Sequence, residues 1–164
     1  KDAPSELKVA VITISDSLSD LEDGYEKDES GRIIRNKLNK AGHSPEYTTI
    51  IPDKSEQIKI EIKKAIQNPD INAIITTGGT GITSKDKTVD AAKTLFEKEL
   101  PGFGELLRRK SYEEVEGAVI LSRATAGIIK KKPVFCLPGS PNSVEIGMSI
   151  IIPDLAHVVK HARE

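Results

Sequence analysis

The stretch KVAVITISDS, Lys8–Ser17, decides the fold class, because it predicts a strand that ends in a sharp polar turn. Its first part, Lys8–Ile14, is a short run rich in β-branched side chains, which favour extended backbone. The run gives way abruptly to Ser15, Asp16 and Ser17. We therefore place a first strand here and expect these polar side chains at its carboxyl end.

The segments that follow alternate between helical and strand-like spacing. In chain order they are a helix over Ser30–Ala41 that stops at Gly42, a strand over Ser44–Ile51, a helix with Ser55 as N-cap and Ile58, Ile62, Ala65 and Ile66 on one face, and a strand over Ala73–Thr77. Strand, helix, strand, helix, strand is the pattern of a parallel sheet with right-handed crossovers. The fold class is therefore α/β.

The second half of the chain predicts further elements around the same sheet. They are helices over Thr88–Phe96 and Phe103–Tyr112, a hairpin of Ala126–Ile129 and Pro133–Leu137 with Lys130–Lys132 at its tip, a helix capped by Ser140 with Pro141 at its start, and, after Pro153-Asp154, a last helix to about His161. The hairpin adds an antiparallel member to a mostly parallel sheet. No linker or repeat interrupts residues 1–164, so we expect a single domain.

Composition excludes several classes of protein. The 164 residues include 24 Lys and Arg against 25 Asp and Glu, for a formal net charge of -1, and 4% are aromatic. We expect no nucleic-acid partner, because overall basicity and aromatic stacking platforms are both missing. The single Cys136 excludes an internal disulfide framework, and its apolar surroundings are typical of a buried thiol. No apolar run approaches the length of a membrane span, so we expect no membrane partner and a cytoplasmic location.

Polar or glycine-rich residues follow four of the predicted strands. They are Ser15-Asp16-Ser17, Pro52-Asp53, Thr77 with Gly78-Gly79-Thr80-Gly81, and Pro138–Pro141. The carboxyl ends of parallel strands share one edge of an open α/β sheet, and such folds bind ligands there. The convergence of these segments predicts a ligand site at that edge.

The glycine loop Gly78–Gly81 is the sharpest single feature. Its glycines let backbone N–H groups approach a phosphate closely, and Thr77 and Thr80 add hydroxyl groups. No Gly-Lys-Ser/Thr and no G-x-G-x-x-G is present, which argues against a Walker loop and a Rossmann dinucleotide site. A tight strand-to-helix turn would explain the same glycines.

Two aspartates shift the balance toward a phosphate site. Asp86 follows the glycine loop, and a carboxylate near phosphates repels them unless it holds a divalent cation such as Mg²⁺, which prefers one or two carboxylates plus phosphate oxygens. Asp53 is the candidate for the second carboxylate, although a turn or cap before Ser55 explains it equally well. Ser140 is either a plain N-cap or part of an anion site at a helix N-terminus.

Ordered motifs over nearly the whole chain resemble one family. They are Ser15-Asp16-Ser17, Asp28-Glu29-Ser30-Gly31, TTGGTG at Thr76–Gly81, Asp86 with Thr88, LPGFGELLR at Leu100–Arg108, Leu121-Ser122-Arg123 and LPGS at Leu137–Ser140. In this order they are similar to the MogA/MoaB family of molybdenum cofactor biosynthesis. The resemblance implies a three-layer α/β/α molybdopterin-binding fold.

The resemblance also implies a reaction: the Mg·ATP-dependent transfer of AMP onto the terminal phosphate of molybdopterin, with pyrophosphate as the second product. It identifies Asp53 and Asp86 as the family's key aspartates, which we expect to hold Mg²⁺ while Gly78–Gly81 cradles the nucleotide phosphates. Ser15, Asp16, Ser17 and Ser140 are then expected to orient the pterin and its phosphate.

Other assignments stay open from the sequence. Glu105 either lines the site from its far side or forms a surface pair with Arg108, and Arg123 is either structural or phosphate-facing. A non-catalytic module that binds molybdopterin or a nucleotide is the alternative function. The resemblance further implies a homotrimer or hexamer and hand-off of the product to a molybdenum insertase.

Overall fold

The computed structural model describes residues 3–114 and 117–164, and this part of the chain contains one sheet of six strands. The strands are β1 (Lys8–Ile14), β2 (Ser44–Ile51), β3 (Ala73–Thr77), β4 (Lys98–Glu99), β5 (Thr125–Ile129) and β6 (Lys132–Leu137). Their order is β2-β1-β3-β6-β5-β4, with β2, β1, β3 and β6 parallel and β5 antiparallel to both of its neighbours. The predicted mostly parallel sheet with an antiparallel hairpin is confirmed.

Helices cover both faces of the sheet. They are α1 (Asp16–Ser19), α2 (Gly24–Lys27), α3 (Glu29–Lys40), α4 (Ser55–Gln67), α5 (Thr88–Leu95), α6 (Pro101–Glu114) and α7 (Pro141–Arg163). One core cluster joins β1, β3 and β6 to α3, α6 and α7, and the other joins the opposite faces of the same strands to α4 and α5. This is the three-layer α/β/α arrangement that the family resemblance implied.

The order of the strands reverses beside β1. The chain leaves β1 through α3 on one face to reach β2, and it returns through α4 on the opposite face to reach β3, on the other side of β1. Crossovers that leave on opposite faces open a crevice at the carboxyl ends of β1 and β3. The topology therefore creates a depression at the edge where the sequence predicted a ligand site.

Three local predictions are wrong. Helix α4 begins at Ser55 itself, so Lys54 is its N-cap residue, and Lys54 makes no side-chain capping bond. Lys132 belongs to β6 rather than to the hairpin tip, because the left-handed conformations of Lys130 (φ 46) and Lys131 (φ 66) complete a two-residue turn. The last two predicted helices are one, since α7 continues through Pro153.

The continuity of α7 has a packing explanation. Proline removes one hydrogen bond and crowds the preceding turn of a helix, so the sequence favours a break. Ile151 and Leu155, on either side of Pro153, are both buried in the core cluster with α3 and α6. Burying side chains of this size is worth about 1.5–3 kcal/mol each, which offsets the proline penalty.

Some elements differ from the sequence predictions in extent or were not predicted. The short strand β4 pairs with β5, and α1 and α2 occupy a segment that has no apolar periodicity. Helix α5 ends at Leu95, whereas α6 already begins at Pro101. Among the described residues, no helix has the length and apolar character that a bilayer crossing requires.

Candidate active site

A cavity of about 640 Å³ lies at the carboxyl ends of β1, β3 and β6. Its volume is in the range that holds a small-molecule ligand or cofactor. Most of the residues proposed from sequence line it together: Ser15, Asp16, Asp53, Thr77, Gly78, Gly79, Thr80, Gly81, Asp86 and Ser140. Segments that are far apart in the chain thus meet at the predicted edge of the sheet.

Two proposed residues lie outside the cavity lining. Ser17 is exposed, and its hydroxyl lies 3.2 Å from that of Ser15. Glu105 is exposed on α6 and does not line the cavity. The guanidinium of Arg108 donates instead to the carbonyls of Ser122 and Ala124, at 3.3 and 2.8 Å. Within the described residues, no ion pair links Glu105 to Arg108.

The glycine loop is held in a backbone conformation that other residues rarely adopt. Gly78 and Gly79 have φ angles of 105° and 72°. A side chain at Gly78 would collide with the carbonyl oxygen of Ile14, and one at Gly79 would collide with Thr88 Oγ1 and lie 2.6 Å from Asp53 Oδ2. Both glycines are therefore required by conformation and by space.

The loop also presents backbone donors to the cavity. The amide of Gly78 donates to the carbonyl of Leu137 at 3.0 Å, which ties β3 to the end of β6. The amides of Gly79, Thr80 and Gly81 donate to no acceptor within the described part of the chain. Successive free N–H groups in such a loop form a concave site for an anion.

The two aspartates flank this loop. Asp53 accepts a hydrogen bond from the amide of Lys87 at 3.0 Å, and its own amide donates to Asp16 at 2.9 Å. The carboxylate of Asp86 accepts from the amide and hydroxyl of Thr83, at 3.0 and 2.8 Å. The local backbone thus fixes one carboxylate against Gly79 and the other against Gly81.

The site carries more negative charge than its own donors neutralise. Burial raises the pKa of Asp53, and the nearby carboxylates of Asp86 and Asp16 raise it further, although the hydrogen bond from the Lys87 amide acts in the opposite direction. The described residues hold no cluster of three or more ligand-type side chains. Asp53 and Asp86 are carboxylates, the ligand type that Mg²⁺ takes one or two of, together with water and phosphate oxygens.

The start of α7, which also lines the cavity, has features that suit an anion. Ser140 is the N-cap of α7, as predicted, and its hydroxyl accepts from the amide of Ser143 at 3.3 Å, with Pro141 at the helix start. The first turn of a helix presents free N–H groups and the positive end of the helix dipole. A phosphate at this position would therefore find an electropositive surface.

Side-chain hydroxyls fix the loop that leads into α7. Thr77 donates to the carbonyl of Pro138, and Ser30 donates to the carbonyl of Gly139, each at 2.7 Å. These bonds join the ends of β3, α3 and β6 around the cavity. Thr77 is fully engaged in this way, so its role is to hold the rim.

Sequence reasoning did not assign a role to Asp28. Its carboxylate is buried, caps α3 by accepting from the amide of Gly31 at 2.9 Å, and accepts from the hydroxyl of Thr13 at 2.5 Å. Asp28 and Thr13 both line the cavity. The available signal was the position of an aspartate just before a helical segment, which is typical of an N-cap.

Arg123 has a structural role. Its guanidinium donates to the carbonyl of Gly81 at 2.8 Å and to both carboxylate oxygens of Asp90, at 2.9 and 3.1 Å. It also lies 3.4 Å from the carbonyl of Asp86. Arg123 therefore fastens the glycine loop and the Asp86 segment to α5.

Comparison with known proteins gives a consistent result. A family model described as "Probable molybdopterin binding domain" matches residues 10–157. A Pyrococcus furiosus protein named "Molybdopterin adenylyltransferase" is 45% identical over 168 residues, covering 100% of this chain and 96% of that protein. "Molybdenum cofactor biosynthesis protein B" of Bacillus subtilis is 40% identical over 166 residues, covering 100% of this chain and 95% of the relative.

Solved structures agree with the sequence comparisons. A crystal structure described as the tungsten cofactor synthesizing protein MoaB from Pyrococcus furiosus has a TM-score of 0.87 and 44% identity, covering 99% of this chain and 100% of that one. A crystal structure of a molybdenum cofactor biosynthesis protein B has a TM-score of 0.90 and 37% identity, covering 98% of both chains.

Proposed function

This chain belongs to the family of molybdopterin-binding domains of molybdenum cofactor biosynthesis, and from that membership we propose that it is a molybdopterin adenylyltransferase. It transfers AMP from Mg·ATP to the terminal phosphate of molybdopterin and releases pyrophosphate. The observation that carries the proposal is the placement of Asp53 and Asp86 on either side of a glycine loop with free amides. Binding of a pterin alone has no need of such a pair.

Different residues of the site bind different parts of the two substrates. The amides of Gly79, Thr80 and Gly81 bind nucleotide phosphate oxygens, while the N-terminus of α7 at Ser140 receives the phosphate of the pterin substrate. Asp53 and Asp86 would hold Mg²⁺, which would neutralise phosphate charge. Ser15 and Asp16, at the end of β1, orient the pterin.

The reaction needs no nucleophile from the protein. An oxygen of the molybdopterin phosphate forms the new bond to the α-phosphorus, and the bond between the α-phosphorus and the bridging oxygen breaks, so that pyrophosphate leaves with its electron pair. Transfers of this type depend on positioning and on stabilisation of charge. Cys136 takes no part, because it is fully buried and burial raises the pKa of its thiol to about 11.

Exchange of each carboxylate for an amide tests the proposal. Asp86→Asn and Asp53→Asn keep the shape of the side chain but remove its charge, and we expect each to reduce formation of adenylylated molybdopterin and pyrophosphate by about 100-fold or more. Asp70→Asn is the matched control, because Asp70 is exposed and lies outside the cavity. Thermal unfolding verifies that all three variants fold.

Two outcomes contradict the proposed function. Full turnover by both Asp53→Asn and Asp86→Asn would show that neither carboxylate takes part in the reaction. Binding of Mg·ATP and molybdopterin by the wild-type protein without any product would instead favour the alternative, a non-catalytic binding module.

We also propose that the protein acts as a homotrimer or hexamer in the cytoplasm and passes its product to a molybdenum insertase. Exposed apolar side chains support self-association: Ile120 and Tyr112 are 90% and 81% exposed. A groove lined by Leu100, Leu106 and Val158 adds a further apolar surface. Light scattering tests the assembly, and a monomer at micromolar concentration contradicts it.

A further inference from the structure

The hydroxyl of Thr88 is buried beside the site and has no hydrogen-bond partner among the described residues. A buried polar group without a partner is destabilising, and folded proteins rarely retain one without a reason. Thr88 is the first residue of α5, and its amide donates to the carbonyl of Gly79 at 3.2 Å. The side chain is therefore anchored directly behind the glycine loop.

Only one other described side chain is in the same situation. The hydroxyl of Thr76 also lacks a partner, but Thr76 lies within β3 opposite Cys136 of β6, inside the sheet. The hydroxyl of Thr88, by contrast, lies against Gly79 and near the carboxylate of Asp53, and both of these residues line the cavity. This difference makes the hydroxyl of Thr88 the one that a bound ligand can affect.

The neighbour of this hydroxyl is a carboxylate oxygen that also lacks a protein donor. A side chain built on Gly79 would collide with Thr88 Oγ1 and would lie 2.6 Å from Asp53 Oδ2, so both oxygens approach the same point. Asp53 uses Oδ1 to accept from the Lys87 amide at 3.0 Å. Within the described residues, Oδ2 has no hydrogen-bond donor. The unused donor and the unused acceptor are thus close neighbours, within about 4.7 Å of each other, but no hydrogen bond joins them in the free protein.

We propose that Thr88 is a positioning residue whose hydroxyl donates to Asp53 Oδ2 when Mg·ATP binds, and thereby fixes the plane of that carboxylate. The inference rests on the proposed function, because it assigns Asp53 to the metal–nucleotide. A bond on Oδ1 alone constrains the plane of the carboxylate less than bonds on both oxygens do, so the second bond would fix its orientation. The Thr88 hydroxyl, which is unpaired in the free protein, then gains its hydrogen-bond partner in the bound state.

A matched pair of substitutions separates this role from simple packing. Thr88→Val keeps the shape and removes the hydroxyl, whereas Thr88→Ser keeps the hydroxyl and removes the methyl group. Because the hydroxyl is unpaired in the free protein, we expect Thr88→Val to be at least as stable as the wild type and Thr88→Ser to be less stable. We expect the opposite order for binding of Mg·ATP.

The binding experiment is calorimetric titration of the folded full-length chain with Mg·ATP in the absence of molybdopterin. We expect Thr88→Val to weaken binding by about 10- to 100-fold, the loss typical of one hydrogen bond to a charged group, and Thr88→Ser to remain within about threefold of the wild type. In the background of Asp53→Asn, Thr88→Val should have little additional effect, because its influence passes through Asp53.

Three results would overturn the inference. Wild-type affinity in Thr88→Val would show that the hydroxyl only fills space. Parallel losses of stability and affinity in both variants would show a structural role. An undiminished effect of Thr88→Val in the Asp53→Asn background would show that Thr88 acts through another residue. Wild-type protein that binds Mg·ATP but forms no product contradicts the adenylyltransferase proposal, while the binding comparison still decides the role of Thr88.

Discussion

Substitution of Gly79 by alanine tests how the site is built, because the new methyl group meets two groups at once. It would collide with the buried hydroxyl of Thr88 and lie 2.6 Å from Asp53 Oδ2. Gly79 also has a φ of 72°, which an alanine adopts only with strain. The variant should therefore lose stability and displace a carboxylate of the site.

The size of the effect follows from these two causes. A left-handed conformation in a residue other than glycine costs about 1–3 kcal/mol, and overpacking of a buried position typically costs about 1–3 kcal/mol more. We expect the free energy of unfolding to fall by about 2–6 kcal/mol, which lowers Tm by at least about 4 °C in a chain of this length. Turnover of Mg·ATP should also fall in protein that is still folded.

Gly42→Ala is the matched control. Gly42 has a φ of 83°, but a side chain there would meet no atom within 4 Å. Like Gly79→Ala, the control places an alanine in a left-handed conformation and reduces the conformational entropy of the unfolded chain, but it creates no collision. Urea unfolding of both variants measures the difference, which we expect to be about 1–3 kcal/mol. Equal losses in the two variants, or full turnover by folded Gly79→Ala, would refute the reasoning.

Three further predictions concern groups around the core and the site. His43 Nδ1 accepts from the Leu7 amide at 3.1 Å, and burial lowers the pKa of His43. The stabilisation by neutral His43 is therefore complete above its ordinary pKa of 6.5 and is lost as the pH falls below that value. In acid titrations, His43→Gln should flatten the decline in the free energy of unfolding below pH 6.5. Arg123→Lys loses the paired bonds to Asp90, and calorimetry should show weaker Mg·ATP binding with a stability loss under about 1 kcal/mol from this pair, since Asp90 is largely exposed. Asp28→Asn should lower the unfolding free energy by about 1–3 kcal/mol in a urea titration, because it disturbs buried hydrogen bonds to Thr13 and Gly31.

The fold was largely predictable because its strands carry a strong local signal. The limits predicted for the strands Lys8–Ile14, Ser44–Ile51 and Ala73–Thr77 agree with the structure. Predictions from local sequence preferences were wrong where packing between elements outweighs those preferences. Pro153 indicates a helix break, yet the buried residues on either side keep α7 continuous, and β4 forms only because β5 lies beside it.

The site was predictable only at the level of its segments. Glycine, serine or aspartate follows four of the predicted strands. Because open α/β sheets bind ligands at the carboxyl ends of their strands, the sequence predicts that these segments meet. The pairing of side chains depends on the crossovers, which carry no local signal. Arg123 meets Gly81 and Asp90, and Thr88 meets Gly79, only because β5 and α5 fold back over the loop. Sequence motifs therefore predicted which segments meet at the cavity, although Ser17 and Glu105 lie outside its lining, but they did not predict which side chains pair there.

The distribution of charge in the cavity predicts which phosphate group lies in which part of it. Asp16, Asp53 and Asp86 make one part of the cavity acidic, and Asp28 and Glu29 add carboxylates to the lining, whereas the start of α7 at Ser140 contributes the positive end of a helix dipole. A near-neutral chain, with a formal net charge of -1, thus offers an anion local backbone donors rather than overall basicity. A bare phosphate is repelled from the acidic side and attracted to the helix start, while a cation-bound phosphate is attracted to the acidic side. Under the proposed adenylyl transfer, we therefore expect the pterin phosphate at the start of α7 and the Mg·nucleotide beside Asp53 and Asp86.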